Sequence, residues 1–181
     1  DVLVNNAGFA IYKAVEETTM EEAKSMFNTN VFGLAEVTKA SLPLIKKSAD
    51  GRIINISSVS GKFVNPFGGW YCATKFALEA FSDALRMELS LYKIKVIVVE
   101  PGQTNTNYGE VAFADFNKNS LPAYVKSKDK FLRALYFGFK TSTSPKKVAR
   151  VIYHAANSWF PKARYTVTII EFIFVQLIKF I

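Results

Sequence analysis

Residues 52–102 read RIINISSVSGKFVNPFGGWYCATKFALEAFSDALRMELSLYKIKVIVVEPG. The run Arg52-Ile53-Ile54-Asn55-Ile56-Ser57 is apolar and β-branched, and predicts a strand. Lys95 to Glu100 repeats that pattern and is stopped by Pro101-Gly102. Between the two, a loop holding Gly61, Pro66, Gly68 and Gly69 leads into a segment from Tyr71 to Tyr92. Its apolar residues recur at helical spacing. Strands this continuously apolar are covered on both faces, which is the habit of parallel sheets rather than antiparallel ones. Strand, helix, strand therefore predicts an α/β fold.

Working outward, Asp1–Asn5 reads as another buried strand, ending at Asn5-Asn6-Ala7-Gly8. Thr18 and Thr19 precede Glu21 and Glu22, the pattern of a capped helix start. Met26, Ala35, Val37, Leu42 and Leu44 extend the helical reading to about Lys47, with Pro43 expected to bend or end it. Asp50-Gly51 is a turn. Beyond Gly102, residues 103–124 read as a loop, and 125–140 and 145–158 as helices, the second after Ser144-Pro145. Tyr165 to Ile170 reads as a last strand. The apolar tail Thr166–Ile181, interrupted by Glu171, Gln176 and Lys179, falls short of the ~20 apolar residues of a membrane span. It reads as that strand plus an interfacial helix. The chain opens on Asp1, inside a strand, and the expectation is that something precedes it.

The 181 residues (20.3 kDa) fit one domain, and at 50% hydrophobic and 21% charged they can bury a core. One cysteine excludes an internal disulfide framework or a cysteine-based zinc site, and one histidine excludes a histidine-rich metal site, so no metal is expected. With no secretory signal at the start, a reducing, cytoplasmic setting is the default expectation. The net charge of +8 is uneven: residues 118–164 hold eleven basic and one acidic side chain. Such a stretch suits nucleic acid, an anionic membrane or an anionic substrate, but it is also what a solvated helical face looks like. No nucleic-acid motif accompanies it, so nucleic acid is not expected as a partner. Peripheral membrane contact stays open.

Tyr71 and Lys75, spaced i, i+4, share one face of the predicted helix, about 6 Å apart at Cβ. Ser57-Ser58 closes the preceding strand, Asn30-Val31-Phe32-Gly33 lies in the earlier helix, and Pro101-Gly102-Gln103-Thr104-Asn105-Thr106 follows the last strand of the quoted stretch. In an open parallel sheet, ligands bind beyond the carboxyl ends of the strands, so three polar or glycine-containing strand ends converge on one crevice.

Taken together these motifs resemble the short-chain dehydrogenase/reductase family over roughly residues 1–106. The family's Asn-Asn-Ala-Gly is matched by Asn5 to Gly8, its catalytic Asn by Asn30 and its catalytic Ser by Ser58. Its Tyr-x-x-x-Lys is matched by Tyr71 and Lys75, and its Pro-Gly-x-x-x-Thr by Pro101, Gly102 and Thr106. The resemblance implies a Rossmann-like doubly wound parallel sheet, here incomplete and limited to the C-terminal, catalytic part. Asp1 matches the start of the family's fourth strand, so about 70–80 residues carrying the Gly-rich turn are expected upstream. It also implies NAD or NADP as cofactor, undistinguished here. Asn5, Ala7, Gly8, Tyr71, Lys75, Pro101, Gly102, Thr104 and Thr106 are then cofactor contacts, Asn5 on the adenosine side. Asn30, Ser58, Tyr71 and Lys75 are the catalytic set. In the family Asn30 anchors a water that relays protons through Lys75.

The chemistry supports those roles. A phenol titrates near pH 10, and a nearby ammonium lowers that value, so Lys75 is expected to supply part of the ~3 units needed to make Tyr71 a base near neutrality. Ser58 would hydrogen-bond the substrate oxygen.

The helix sequence is similar to members acting on lipophilic alcohols. Val111, Phe113, Phe116, Leu121, Tyr124, Phe131, Leu135, Tyr136 and Phe137 either line an apolar substrate pocket or form a lid packed on the core. The substrate expected is a small alcohol or ketone, apolar in body. A homodimer or homotetramer, paired through the Tyr71–Tyr92 helix, is implied for the full-length form. Cys72 is expected to be a small core residue, His154 structural, and the sequon Asn55-Ile56-Ser57 silent in a buried strand. The competing reading is an inactive fragment or a non-catalytic scaffold, for which Asn30, Ser58, Tyr71 and Lys75 would have no use.

Overall fold

The computed structural model describes residues 1–118, 120–139 and 142–178, with the side chains of 136–139, 174 and 178 left undescribed. Four strands, β1 (Val2–Asn5), β2 (Arg52–Ile56), β3 (Lys95–Glu100) and β4 (Arg164–Thr166), form one sheet in the order β1-β2-β3-β4. Every pairing is parallel: Val4 faces Ile54, Ile54 faces Ile97, and Val99 faces Tyr165. The connections are helical. α1 (Met20–Phe27) and α2 (Leu34–Ile45) join β1 to β2, and α3 (Gly69–Leu89) joins β2 to β3. Between β3 and β4 lie α4 (Tyr108–Ala112), α5 (Pro122–Phe139) and α6 (Pro145–Asn157), and α7 (Ile169–Ile178) follows β4.

Alternation along the strands feeds two apolar layers. Ile53 and Val96 face α2 and α3, packing with Ile45, Leu85 and Leu89. Ile54, Ile97 and Val99 face the other way and pack on Ala155 of α6 and on Val167. Ile53, Ile54, Val98 and Val99 are fully buried, each stabilising the fold by about 1.5–3 kcal/mol relative to exposure. The sheet is thus covered on both faces, the doubly wound arrangement that its apolar strands predict.

Four expectations need correction. The helical stretch to about Lys47 is one path in three pieces: α1 passes into a π-helical segment, Asn28–Gly33, and then into α2. Pro43 sits inside α2 without ending it, and the helix stops at Ile45. Residues 103–124 are not all loop, since α4 occupies Tyr108–Ala112 and α5 starts at Pro122. The last strand is Arg164–Thr166, and Ile169 and Ile170 open α7 instead. The reason is a capping box: Thr168 Oγ1 accepts the Glu171 amide at 3.1 Å, and the Glu171 carboxylate returns to the Thr168 amide at 2.8 Å. That local device outweighs the strand propensity of Ile169-Ile170. Among the described residues no helix is long and apolar enough to cross a membrane, and no group of three His, Cys, Asp or Glu side chains is placed to hold a metal ion. The last residues of the tail, 179–181, lie outside the described residues.

Candidate active site

The carboxyl ends of β1, β2 and β3 open on a cavity of about 630 Å³. Gly8 follows β1, Ser58 follows β2, Pro101 to Thr106 follows β3, and Tyr71 and Lys75 reach in from the first turns of α3. The buried stripe Tyr71, Thr74, Lys75, Leu78, Ser82, Leu85 repeats every three or four residues, so apolar packing below orients the two polar groups above.

Tyr71 is buried, and its hydroxyl is hydrogen-bonded with the hydroxyls of Ser58 and Tyr108. Burial pushes the Tyr71 phenol above its ordinary value, and the hydrogen bonds from Tyr108 and Ser58 offset that only in part. Ser58 is held by its neighbours: its Oγ accepts the Ser60 amide at 3.1 Å and donates to Pro101 O at 3.4 Å. Lys75 donates to Ile56 O at 3.0 Å, and its Nζ lies 5.8 Å from the centre of the Tyr71 ring. Burial pulls Lys75 down to about 8, against the opposing charge of Glu79. Desolvation is the largest influence on both groups, raising the phenol and lowering the ammonium.

Asn30 is fully enclosed in the π-helical segment. Its side chain clasps the loop after β1, accepting Phe9 N–H at 3.0 Å and donating to Phe9 O at 2.9 Å and Thr74 Oγ1 at 3.0 Å. A Cβ on Gly8 would stand 3.1 Å from Asn30 Oδ1 and 3.7 Å from Lys75 Nζ. Backbone, amide and ammonium meet there, and only a residue without a side chain leaves that space open.

Asn5 lies apart from the cavity. Its side chain is buried, donates to Thr38 Oγ1 and Asn55 Oδ1 at 2.9 Å each, and does not line the cavity. The alternation of β1 turns it inward, where it ties α2 to β2, and it is Asn6 that lines the cavity. Ala7 is likewise not a lining residue. Thr104 and Thr106 both line the wall. Thr104 Oγ1 donates to Gly102 O at 3.2 Å, and Thr106 Oγ1 accepts the Tyr108 amide at 3.2 Å. Cys72 is buried, with its thiol pushed up by burial, and His154 stands edge-on to Tyr165 at 5.7 Å. Asn55 is fully buried within β2.

Two residues were invisible in the sequence. Tyr108 bonds the Tyr71 hydroxyl, and Tyr12 forms the opposite wall, its phenol hydrogen-bonded to Asn65 and Ser60 and raised by burial. Neither lies at a spacing that marks it. Of the aromatic and apolar residues expected near a substrate, Phe113 and Leu135 line the cavity, while Phe116 and Phe131 pack into an aromatic cluster behind Tyr12. Tyr124 stacks edge-on to Phe67 and bonds Glu16, and Val111 and Leu121 are exposed. The side chains of Tyr136 and Phe137 lie outside what the structure describes.

The short chain dehydrogenase family matches residues 1–116. The chain belongs to that family. An uncharacterized oxidoreductase of Schizosaccharomyces pombe is 41% identical over 165 residues, covering 91% of this chain and 69% of that protein. Among solved structures, a short-chain dehydrogenase from Streptomyces avermitilis superposes with a TM-score of 0.81 at 35% identity, covering 97% of this chain and 63% of the other. The closed form of serine dehydrogenase complexed with NADP+ superposes at 0.74 and 26% identity, covering 92% and 63%. The chain spans between 49% and 69% of the lengths of the curated relatives it matches. As a member of that family, the chain carries the serine, tyrosine and lysine of its motifs on one wall of the cavity.

Proposed function

We propose that the chain carries the catalytic centre of an NAD- or NADP-dependent oxidoreductase that interconverts an alcohol and a carbonyl. The observation that carries this reading is the meeting of Ser58, Tyr71 and Lys75 at the strand ends, with Ser58 bonded to the Tyr71 hydroxyl and Asn30 behind them. The residues present fit the nicotinamide end of such a cofactor. An ammonium has three donors, and the one described hydrogen bond of Lys75 goes to Ile56 O, so donors remain for a vicinal diol such as a ribose. NAD(P), when bound, supplies the hydride acceptor or donor.

The protein's own work is at the oxygen. Ser58 holds the substrate oxygen by hydrogen bonding. Tyr71, kept protonated by burial, gives its proton to that oxygen as a carbonyl is reduced, and takes it back in the reverse direction. Lys75 and Asn30 hold the neighbouring backbone, at Ile56 and Phe9.

Lys75 is the one charged group among the described residues that line the cavity, and Tyr12, Tyr108, Phe113, Leu135 and Ile152 form much of its wall. Such a wall suits an uncharged substrate with an apolar body, because a carboxylate would have to leave water without a dedicated partner. The single cysteine, buried, fits a reducing compartment such as the cytoplasm.

The test is Tyr71→Phe in the protein at its natural length. Turnover should fall by about 10²–10⁴-fold, the usual share of a positioned acid or base. Cofactor affinity, measured by titration, should hold. Turnover that survives the substitution removes Tyr71 from this role.

A further inference from the structure

Glu171 lies in the first turn of α7, about seventy residues beyond the loop it touches. Its carboxylate accepts three backbone N–H groups. Oε1 takes Gly102 at 2.9 Å, and Oε2 takes Val167 at 3.0 Å and Thr168 at 2.8 Å. In an ordinary capping box the N3 carboxylate returns only to the N-cap. Here its second oxygen reaches across to the loop that follows β3. The approach is close enough that a Cβ on Gly102 would stand 2.4 Å from Oε1. A side chain at 102 would push the carboxylate aside, so glycine there leaves room for this contact.

The same loop is tied on its other side to the reaction centre. Pro101 O accepts the Val59 amide at 3.0 Å and the Ser58 hydroxyl at 3.4 Å. Gly102 O accepts Thr104 Oγ1, and Gln103 O accepts the Thr143 amide at 2.8 Å. Pro101 to Thr106 is thus suspended between Ser58 and α7, and it forms the cavity wall.

We propose that Glu171 is a positioning residue that sets the Pro101–Thr106 loop and thereby governs affinity for the nicotinamide cofactor, making the C-terminal helix part of the active site. The proposal rests on the cofactor reading given above. Removing the carboxylate leaves three half-buried amides without their acceptor and frees the loop on one side only, so the wall shifts relative to Ser58.

The experiment titrates NADH and NADPH, by calorimetry, into the protein at its natural length. Wild type is compared with Glu171→Ala, Glu171→Gln and Thr168→Ala. The last removes only the hydroxyl that caps the Glu171 amide. Glu171→Ala should weaken cofactor binding about tenfold, the equivalent of one orphaned buried amide, with a smaller loss in Glu171→Gln, which keeps one acceptor. Thr168→Ala should lower the melting temperature and leave the affinity unchanged. Unchanged affinity in a folded Glu171→Ala or Glu171→Gln protein overturns the proposal, as does equal weakening in Thr168→Ala. In wild type alone, the Gly102 amide should exchange slowly with deuterium; rapid exchange refutes the clamp even if the alanine variant does not fold. Wild-type protein that binds neither cofactor overturns the functional reading itself.

Discussion

The two walls of the cavity are held by opposite means. The wall of Ser58, Tyr71 and Lys75 is fixed by several polar links: Ser58 to Pro101 O and to the Ser60 amide, and Lys75 of α3 to Ile56 O at the end of β2. Asn5, Asn55 and Ser82 continue those links beneath the sheet, with 2.9 Å bonds from Asn5 to Asn55 and from Asn55 to Ser82. The wall of Tyr12 and Phe113 is aromatic, and a buried cation braces it from behind. Lys128 of α5 is 1% exposed and spends its donors on Glu17 at 2.6 Å, Phe116 O at 2.7 Å and Ser120 Oγ at 2.6 Å. Glu17 also accepts the Leu121 amide at 2.9 Å, and Tyr124 donates to Glu16. Burial by itself raises the Glu17 carboxyl, but the hydrogen bonds from Lys128, Leu121 and Ala14 prevail and hold it below the usual carboxylate range. A wall of many links tolerates the loss of one. A wall braced by a buried ion pair loses more, because the partner's charge is left behind.

The comparison breaks most sharply at the pin. Lys128→Met strands the Glu17 carboxylate in a largely dry place and should cost about 3–5 kcal/mol in urea unfolding, the usual penalty for halving a buried pair. Adding Glu17→Gln should return part of that loss, because the uncompensated charge goes with it. A Lys128→Met cost below about 1 kcal/mol would place the pair among ordinary surface contacts.

The polar wall answers to pH instead. Lys75 titrates at about 8 when folded, against an ordinary 10.5. Between those values the unfolded chain holds a proton that the native one has lost. Stability therefore rises with pH across that window, by roughly 3 kcal/mol at most. The rise should be absent in Lys75→Met, and the difference between the two denaturation midpoints measured from pH 8 to pH 10.5 isolates it. Equal slopes would place Lys75 in contact with water.

The smallest effect is expected where the walls touch. Tyr108→Phe removes one hydrogen bond to Tyr71 and leaves Ser58 in place. A neutral hydrogen bond contributes about 1 kcal/mol, so turnover should change by less than about tenfold with stability nearly unaltered. A loss as large as that of Tyr71→Phe would make Tyr108 a partner in the proton transfer.

How much of this was legible differs between the walls in the same way. Tyr71 and Lys75 were readable because helical spacing puts positions i and i+4 on one face whatever surrounds them. Ser58, Gly8 and the Pro101–Thr106 segment were readable because parallel strands end on one side of their sheet. The inward turn of the Asn5 side chain was not readable, since the strand's register decides which way a side chain turns, and register is a matter of pairing. Asn30 was readable by motif, but its clasp on Phe9 was not. Tyr12, Tyr108 and Lys128 carry no signal at a readable spacing, and Glu171 shows in sequence only its local capping box with Thr168; the ties of Lys128 to Glu17 and of Glu171 to Gly102 span 111 and 69 residues.

The sequence by itself determined the parallel sheet, its two covered faces and the polar groups at its strand ends, since apolar period and helical spacing act over a few residues. Only the tertiary structure decided the aromatic wall, the Lys128 pin and the Glu171 clamp. Those depend on which side chains meet once the layers close, where burial turns an ordinary lysine or glutamate into a group that must find its partner.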